Sequence, residues 1–139
     1  MDLDIIHQFL STESTWAIGI SKETVQKSIQ NSVCFAILYE EKLVAFARVI
    51  TDKATFANLV DVFVVPVHRG KGLGRWLTQE ILIYPEFQGL RRFTLATTTA
   101  NGLYAKFGFE PVEGSKMFMQ IYKPTIYSEQ NISLLQAKL

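Results

Sequence analysis

The stretch Arg69-Gly70-Lys71-Gly72-Leu73-Gly74-Arg75 alternates glycines with other residues and carries three cations. Glycine leaves no Cβ in the way, so a ligand can approach the main chain closely there. Before it, Val62 to Val65 is an unbroken apolar run rich in β-branched residues, as in a strand buried on both faces. Pro66 cannot donate to a β-ladder and marks the strand's end. After it, Leu73, Leu77 and Ile81 recur at helical spacing, with Trp76 and Leu82 widening the stripe. Strand, glycine turn and helix together aim free backbone N–H groups outward at a helix N-terminus, which makes an anion site. The chemistry this favours is binding of a phosphate or pyrophosphate.

The elements that must position this turn follow from the patterning. Ile5, Ile6, Phe9 and Leu10 share a helical face, with Asp2 or Asp4 as its cap, and Ser11 to Thr15 is a polar break. Trp16 to Ile20 reads as an apolar loop that either closes on the core or lines a pocket. Ser21 caps a second helix with Val25 and Ile29 inward. Val33 to Tyr39 is a strand, Glu40 to Lys42 a hairpin turn, and Leu43 to Thr51 the returning strand. The central strand begins as early as Thr55. Pro85 to Gly89 is a connector. Arg92 to Thr98 should then lie parallel beside the central strand, because the intervening helix makes the crossover. Ala100 to Phe107 reads as a short helix with Gly108 as a left-handed cap, and Met117 to Tyr122 as a last strand. An antiparallel meander followed by strand–turn–helix is an α+β pattern. Beyond Lys123, Ile132, Leu134 and Leu135 suggest a weak helix or an arm.

Composition bounds the rest. A chain of 139 residues is one ordinary domain, 1–139, with 123–139 as a tail. The apolar fraction of 48% supplies a core, and 14 Lys plus Arg against 13 Asp plus Glu leaves net charge +1. That balance carries no electrostatic signature for nucleic acid or a membrane surface. Cys34, the single cysteine, sits in an apolar run and reads as core; a cysteine zinc site is not expected, nor any metal. With no basic-then-apolar leader and no long apolar run, the chain reads as soluble and cytoplasmic.

The glycine spacing is wrong for a P-loop, which needs Gly-Lys-Ser/Thr, and for a Rossmann fingerprint. Instead, Arg-x-x-Gly-x-Gly at 69 to 74 after Val-Val-Pro resembles the acetyl-CoA motif of the GNAT (N-acetyltransferase) superfamily. Leu103-Tyr104-x-x-x-Gly108-Phe109 resembles that family's second signature, and the resemblance spans roughly residues 33 to 122. It implies a mixed, mainly antiparallel sheet flanked by helices, with a splayed parallel strand pair receiving the pantetheine arm. Carried over, Phe63 and Val65 hold the pantetheine amides on the strand that includes Val64. Arg69, Gly70, Lys71, Gly72, Leu73, Gly74 and Arg75 hold the pyrophosphate, with His68 nearby. The implied reaction is direct attack of an amine on the acetyl carbonyl, with a strand N–H stabilising the oxyanion. Tyr104 then protonates the leaving thiolate, or it is an amphipathic core residue whose hydroxyl reaches a partner. Asp61, placed on the face of Phe63 and Val65 by alternation, is either the general base or a structural carboxylate paired with Arg48.

The family's usual Asn seven before the tyrosine is Thr97 here, and Asn101, a turn before Tyr104, is the substitute candidate. The chain opens on a helix where the family usually opens on a strand, which would leave a sheet edge open to dimerisation. The resemblance therefore implies an N-acetyltransferase using acetyl-CoA on a primary amine, of a small molecule. A non-catalytic acyl-CoA sensor is the alternative, and a nucleotide-binding interaction protein a further one. Trp16, Phe35, Phe46 and Phe56 are candidates for an acceptor pocket, with the core as the other reading of each.

Overall fold

The computed structural model describes residues 2–127; the weak helix or arm expected at Ile132, Leu134 and Leu135 lies outside them. Six strands form one sheet in the order β1-β2-β3-β4-β6-β5. They are β1 (Val33–Tyr39), β2 (Lys42–Thr51), β3 (Phe56–Val64), β4 (Arg92–Ala96), β5 (Glu110–Pro111) and β6 (Phe118–Tyr122). Every neighbouring pair is antiparallel except β3–β4, which is parallel. The crossover between those two is α3 (Leu73–Ile83), flanked in the chain by α1 (Leu3–Gln8), α2 (Lys22–Gln30) and α4 (Asn101–Ala105). The mixed, mainly antiparallel sheet with one parallel pair is the architecture expected.

Two apolar layers sandwich the sheet. On one face Ala45, Ala47, Val49, Ala57 and Leu59 meet Leu77 and Ile81 of α3, together with Phe93, Leu95, Tyr104 and Phe109. Alanines at three of these strand positions leave room for the helix to lie close. On the other face Ile6, Phe9, Leu10 and Val25 cover Leu43, Phe46 and Phe63, with Phe9 stacked on Phe63 at 4.1 Å between ring centroids. Phe46 is fully buried there and is core.

Local chemistry explains the element ends. Asp2 accepts from the Ile5 N–H and Ser21 from the Thr24 N–H, so both expected caps are in place. Glu40 and Glu41 form a two-residue hairpin with φ of 50° and 67°. Both central residues of a type I′ turn need that left-handed backbone, which costs a non-glycine residue about 1 kcal/mol or more. The polar break after α1 is not a loop: Phe9–Glu13 continues as a π-helical turn, held by Thr12 and Ser14 hydroxyls donating to the Gln8 and Leu10 carbonyls. The short α4 stops at Ala105 rather than running to Phe107, and Gly108 takes φ 93° as its place in the turn requires. β5 has no counterpart in the sequence reading, because two residues ending in proline carry no alternation to read.

The β2–β3 register shifts between Phe46 and Arg48, where two steps on β2 face three on β3. The extra residue is Asp61, at φ 53°. It is a β-bulge, and it flips the faces of the strand. Ala57 and Leu59 point to the α3 layer before it, whereas Phe63 points to the α1–α2 layer after it.

Candidate functional site

β3 pairs with β4 only from Phe56 to Leu59, yet continues to Val64. Beyond Leu59 the two parallel strands part, and the β4-side edge of β3 carries no ladder. Which peptide groups face that edge follows from the β2 register. The Val65 N–H donates to the Val44 carbonyl at 2.9 Å, so Val65, and Phe63 in the same phase opposite Phe46, direct their peptide groups toward β2. Val62 and Val64 therefore direct theirs to the open edge. This corrects the placement of the free amides on Phe63 and Val65: in an unbroken strand those residues would share the phase of Ala57 and Leu59, and the bulge at Asp61 shifts that phase by one. The Val64 carbonyl accepts from Arg69 Nε at 3.0 Å, which draws Arg69 back along the strand end.

The open edge leads into the glycine turn. Gly70 and Gly72 have φ of +80° and +77°, and a Cβ on either would meet nothing within 4 Å. The backbone there thus needs glycine, and the space above it is open. Gly72 is the N-cap of α3 and has no side chain to satisfy the first turn, whose Leu73, Gly74 and Arg75 N–H groups have no acceptor among the described residues. Lys71 Nζ lies 3.2 Å from His68 Nδ1, and the His68 ring packs 5.4 Å from Tyr39. Exposed Arg69, Lys71 and Arg75 ring the turn with positive charge. An open strand edge, uncapped N–H groups and three cations suit a ligand with amide groups at one end and a pyrophosphate at the other.

Tyr104 lies on α4 in the α3-side layer at 7% exposure, edge-on to Phe109. Burial pushes its phenol above the ordinary tyrosine range. Among the described residues its hydroxyl has no hydrogen-bond partner, while the one fully enclosed side-chain atom left unpaired is Arg92 Nε. The Tyr104 hydroxyl is therefore unpaired without being sealed in. Asn101, a turn earlier, lies half-buried with Nδ2 3.9 Å from Met119 Sδ. Thr97 uses its hydroxyl to accept the Ala100 N–H at the start of α4. The residue in the family's asparagine position is thus spent on the helix start.

Asp61 is on the α1–α2 side with both oxygens engaged. Oδ2 accepts from Arg48 Nε at 2.8 Å, and Oδ1 accepts from Trp16 Nε1 at 2.9 Å. Arg48 in turn donates to Ser32. Of the two roles open to Asp61 from sequence, these contacts favour the structural one. The Trp16 tie was missed because an indole N–H and a carboxylate 45 residues apart leave no local signal. Trp16 itself is 55% exposed, not core. Cys34 is half-buried, and desolvation raises its thiol, which disfavours the thiolate form. Among the described residues no group of His, Cys, Asp and Glu could hold a metal ion, and no helix is long and apolar enough to cross a membrane.

Comparison with known proteins bears on this arrangement. The family model described as "Acetyltransferase (GNAT) domain" matches residues 30–111, more than half of the chain. A curated protein of Gibberella zeae that carries an acetyltransferase name is 30% identical over 128 residues, covering 76% of this chain and 71% of that protein. The crystal structure of a protein assigned to the GNAT family, from Xanthomonas campestris pv. campestris, superposes with a TM-score of 0.79 at 49% identity, covering 81% of this chain and 80% of that one. The ribosomal-protein-S18-alanine N-acetyltransferase of Escherichia coli shares the fold, with a TM-score of 0.67 at 20% identity over 86% of each chain.

Proposed function

The chain belongs to the GNAT family of acetyl-CoA-dependent N-acyltransferases, and from that premise we propose that it acetylates a primary amine of a small molecule. The carrying observation is the unladdered edge of β3 running into the uncapped first turn of α3. In this proposal the pantetheine amides pair with Val62 and Val64. The pyrophosphate rests on Gly70, Gly72 and the N–H groups of Leu73 to Arg75, with Arg69 and Lys71 beside it. Asn101 faces the same layer as Tyr104 and offers an amide next to it.

The amine attacks the acetyl carbonyl directly. An N–H on the open β3 edge stabilises the oxyanion, fixed in place before the reaction by the bulge. Tyr104 holds its proton at neutral pH and gives it to the departing thiolate. The amine's own proton leaves to water, since Asp61 is occupied by Arg48 and Trp16. Asp61 then serves to set the bulge, and with it the direction of the amides beyond.

The test is release of CoA thiol from acetyl-CoA over a panel of primary amines, by the native chain and by Tyr104→Phe. Loss of a general acid lowers kcat about 100-fold or more while acetyl-CoA affinity stays within twofold. Unchanged kcat in Tyr104→Phe would remove the acid role. No amine-dependent thiol release, with acetyl-CoA still bound, would make the domain a binding module.

A further inference from the structure

We infer that Trp16 contacts the acceptor, and that it selects primary amines bearing an aromatic or compact apolar group over polyamines. This rests on the acetyltransferase reading above and names its acceptor class. The indole N–H is tied to Asp61, the bulge residue just where β3 and β4 part, yet the ring stays 55% exposed. The loop carrying it is not loose. Ser14 Oγ accepts the Ala17 N–H, Gly19 donates to the Ser11 carbonyl, Ile20 donates to the Ala17 carbonyl, and His7 Nε2 lies 2.9 Å from the Ile20 carbonyl. A large ring with its polar edge satisfied and its backbone pinned is a preformed aromatic platform, and little conformational freedom is lost when it binds.

The platform lies on the α1–α2 side of β3, opposite the layer that holds α3 and Tyr104. An amine can thus approach the strand gap from the face that the α3 turn does not occupy. Phe9, 6.4 Å from the Trp16 ring, also lines a cavity of about 180 Å³ with Ile5, Val65 and Pro66. That volume is below the range of drug-sized pockets, and Gln8 and Glu13 complete its lining, so it suits one small group that is apolar on one side. An ammonium group is attracted to an indole face. The Asp61 carboxylate is already matched by Arg48, and Glu13 is the one acidic residue lining the cavity. A single positive charge on an apolar body fits this better than several charges.

The experiment uses the full chain with acetyl-CoA and three amines: 2-phenylethylamine, n-propylamine and spermidine. Thiol release gives KM and kcat. Emission of Trp16 is followed in Trp76→Phe, which leaves one of the two tryptophans. We expect 2-phenylethylamine to have the lowest KM and to perturb Trp16 emission saturably. Trp16→Ala should raise its KM about tenfold, and because Arg48 still holds Asp61 in the bulge, kcat should stay within twofold. Trp16→Phe, which keeps a ring but loses the tie to Asp61, should fall between. The acetyl-CoA-induced rise in melting temperature should survive both changes. An unchanged KM in Trp16→Ala, a preference for spermidine, or Trp16 emission insensitive to every amine while that rise persists would overturn the inference. Absence of the rise in the native chain would instead remove the acetyltransferase reading, and this inference with it.

Discussion

Burial raises the Tyr104 phenol, and the sign of that shift determines where its effects are seen. The folded protein holds this proton more tightly than the unfolded chain, whose tyrosines lose theirs near pH ~10. The stability it contributes is complete below that pH and is lost as pH rises through the higher folded value. The acid function has the same window, so kcat should hold through neutral and mildly alkaline pH. Tyr104→Phe should flatten the stability loss above pH ~10 as well as slow the reaction, read by melting across pH. Arg48 and Asp61 make a second residue-scale case. Their side chains are 15% and 11% exposed, so removing one partner strands a nearly buried charge. Arg48→Met should cost about 3 kcal/mol, a fall in Tm on the order of 10 °C, and Arg48→Met with Asp61→Asn should regain part of it. A general base would behave otherwise: Asp61→Asn alone would cut kcat by orders of magnitude at unchanged Tm.

At the scale of elements, the α3 turn was legible because its conformation is local: Gly70 and Gly72 sit at positive φ whatever surrounds them. The parallel β3–β4 pair was legible too, since a strand, a helix and a β-rich run leave few other connections. The bulge was not. Asp61 at φ 53° is held by Arg48 and Trp16, and no residue beside it in sequence announces that. Missing it left the correct face for Asp61 but the wrong amides for the open edge. The same reasoning separates the glycines. Gly72→Ala should lose about 1 kcal/mol to left-handed strain, a few degrees of Tm, and place a methyl group in the open cradle. Acetyl-CoA affinity should fall at least tenfold by titration. Gly74 is helical and its Cβ would lie 4.0 Å from Leu103 Cδ2, an ordinary contact on the α4 side. Gly74→Ala should therefore raise Tm by a few degrees, through better helix propensity worth up to ~1 kcal/mol, and leave affinity within twofold. Unchanged affinity in Gly72→Ala would move the phosphate off the turn.

For the whole molecule, the proposed ligand spans the edge of β3, the first turn of α3 and the start of α4. These are parts of one layer that are joined mainly through apolar contacts. Unfolding must release the ligand, so binding adds directly to global stability. At about a hundred times its Kd, acetyl-CoA should add roughly 2.7 kcal/mol. In a domain of this size that is a rise in Tm on the order of 5 to 10 °C. CoA should act almost as strongly, because the acetyl group is a small part of the contact. ATP and NAD carry phosphates for the α3 turn but no pantetheine amides for Val62 and Val64, so their shifts should be a minor fraction. An ATP shift equal to that of acetyl-CoA would place all of the binding at the turn and leave the strand edge without a role. A flat response to millimolar acetyl-CoA would show that the parted strands hold no such ligand, and the amine chemistry would lose its donor.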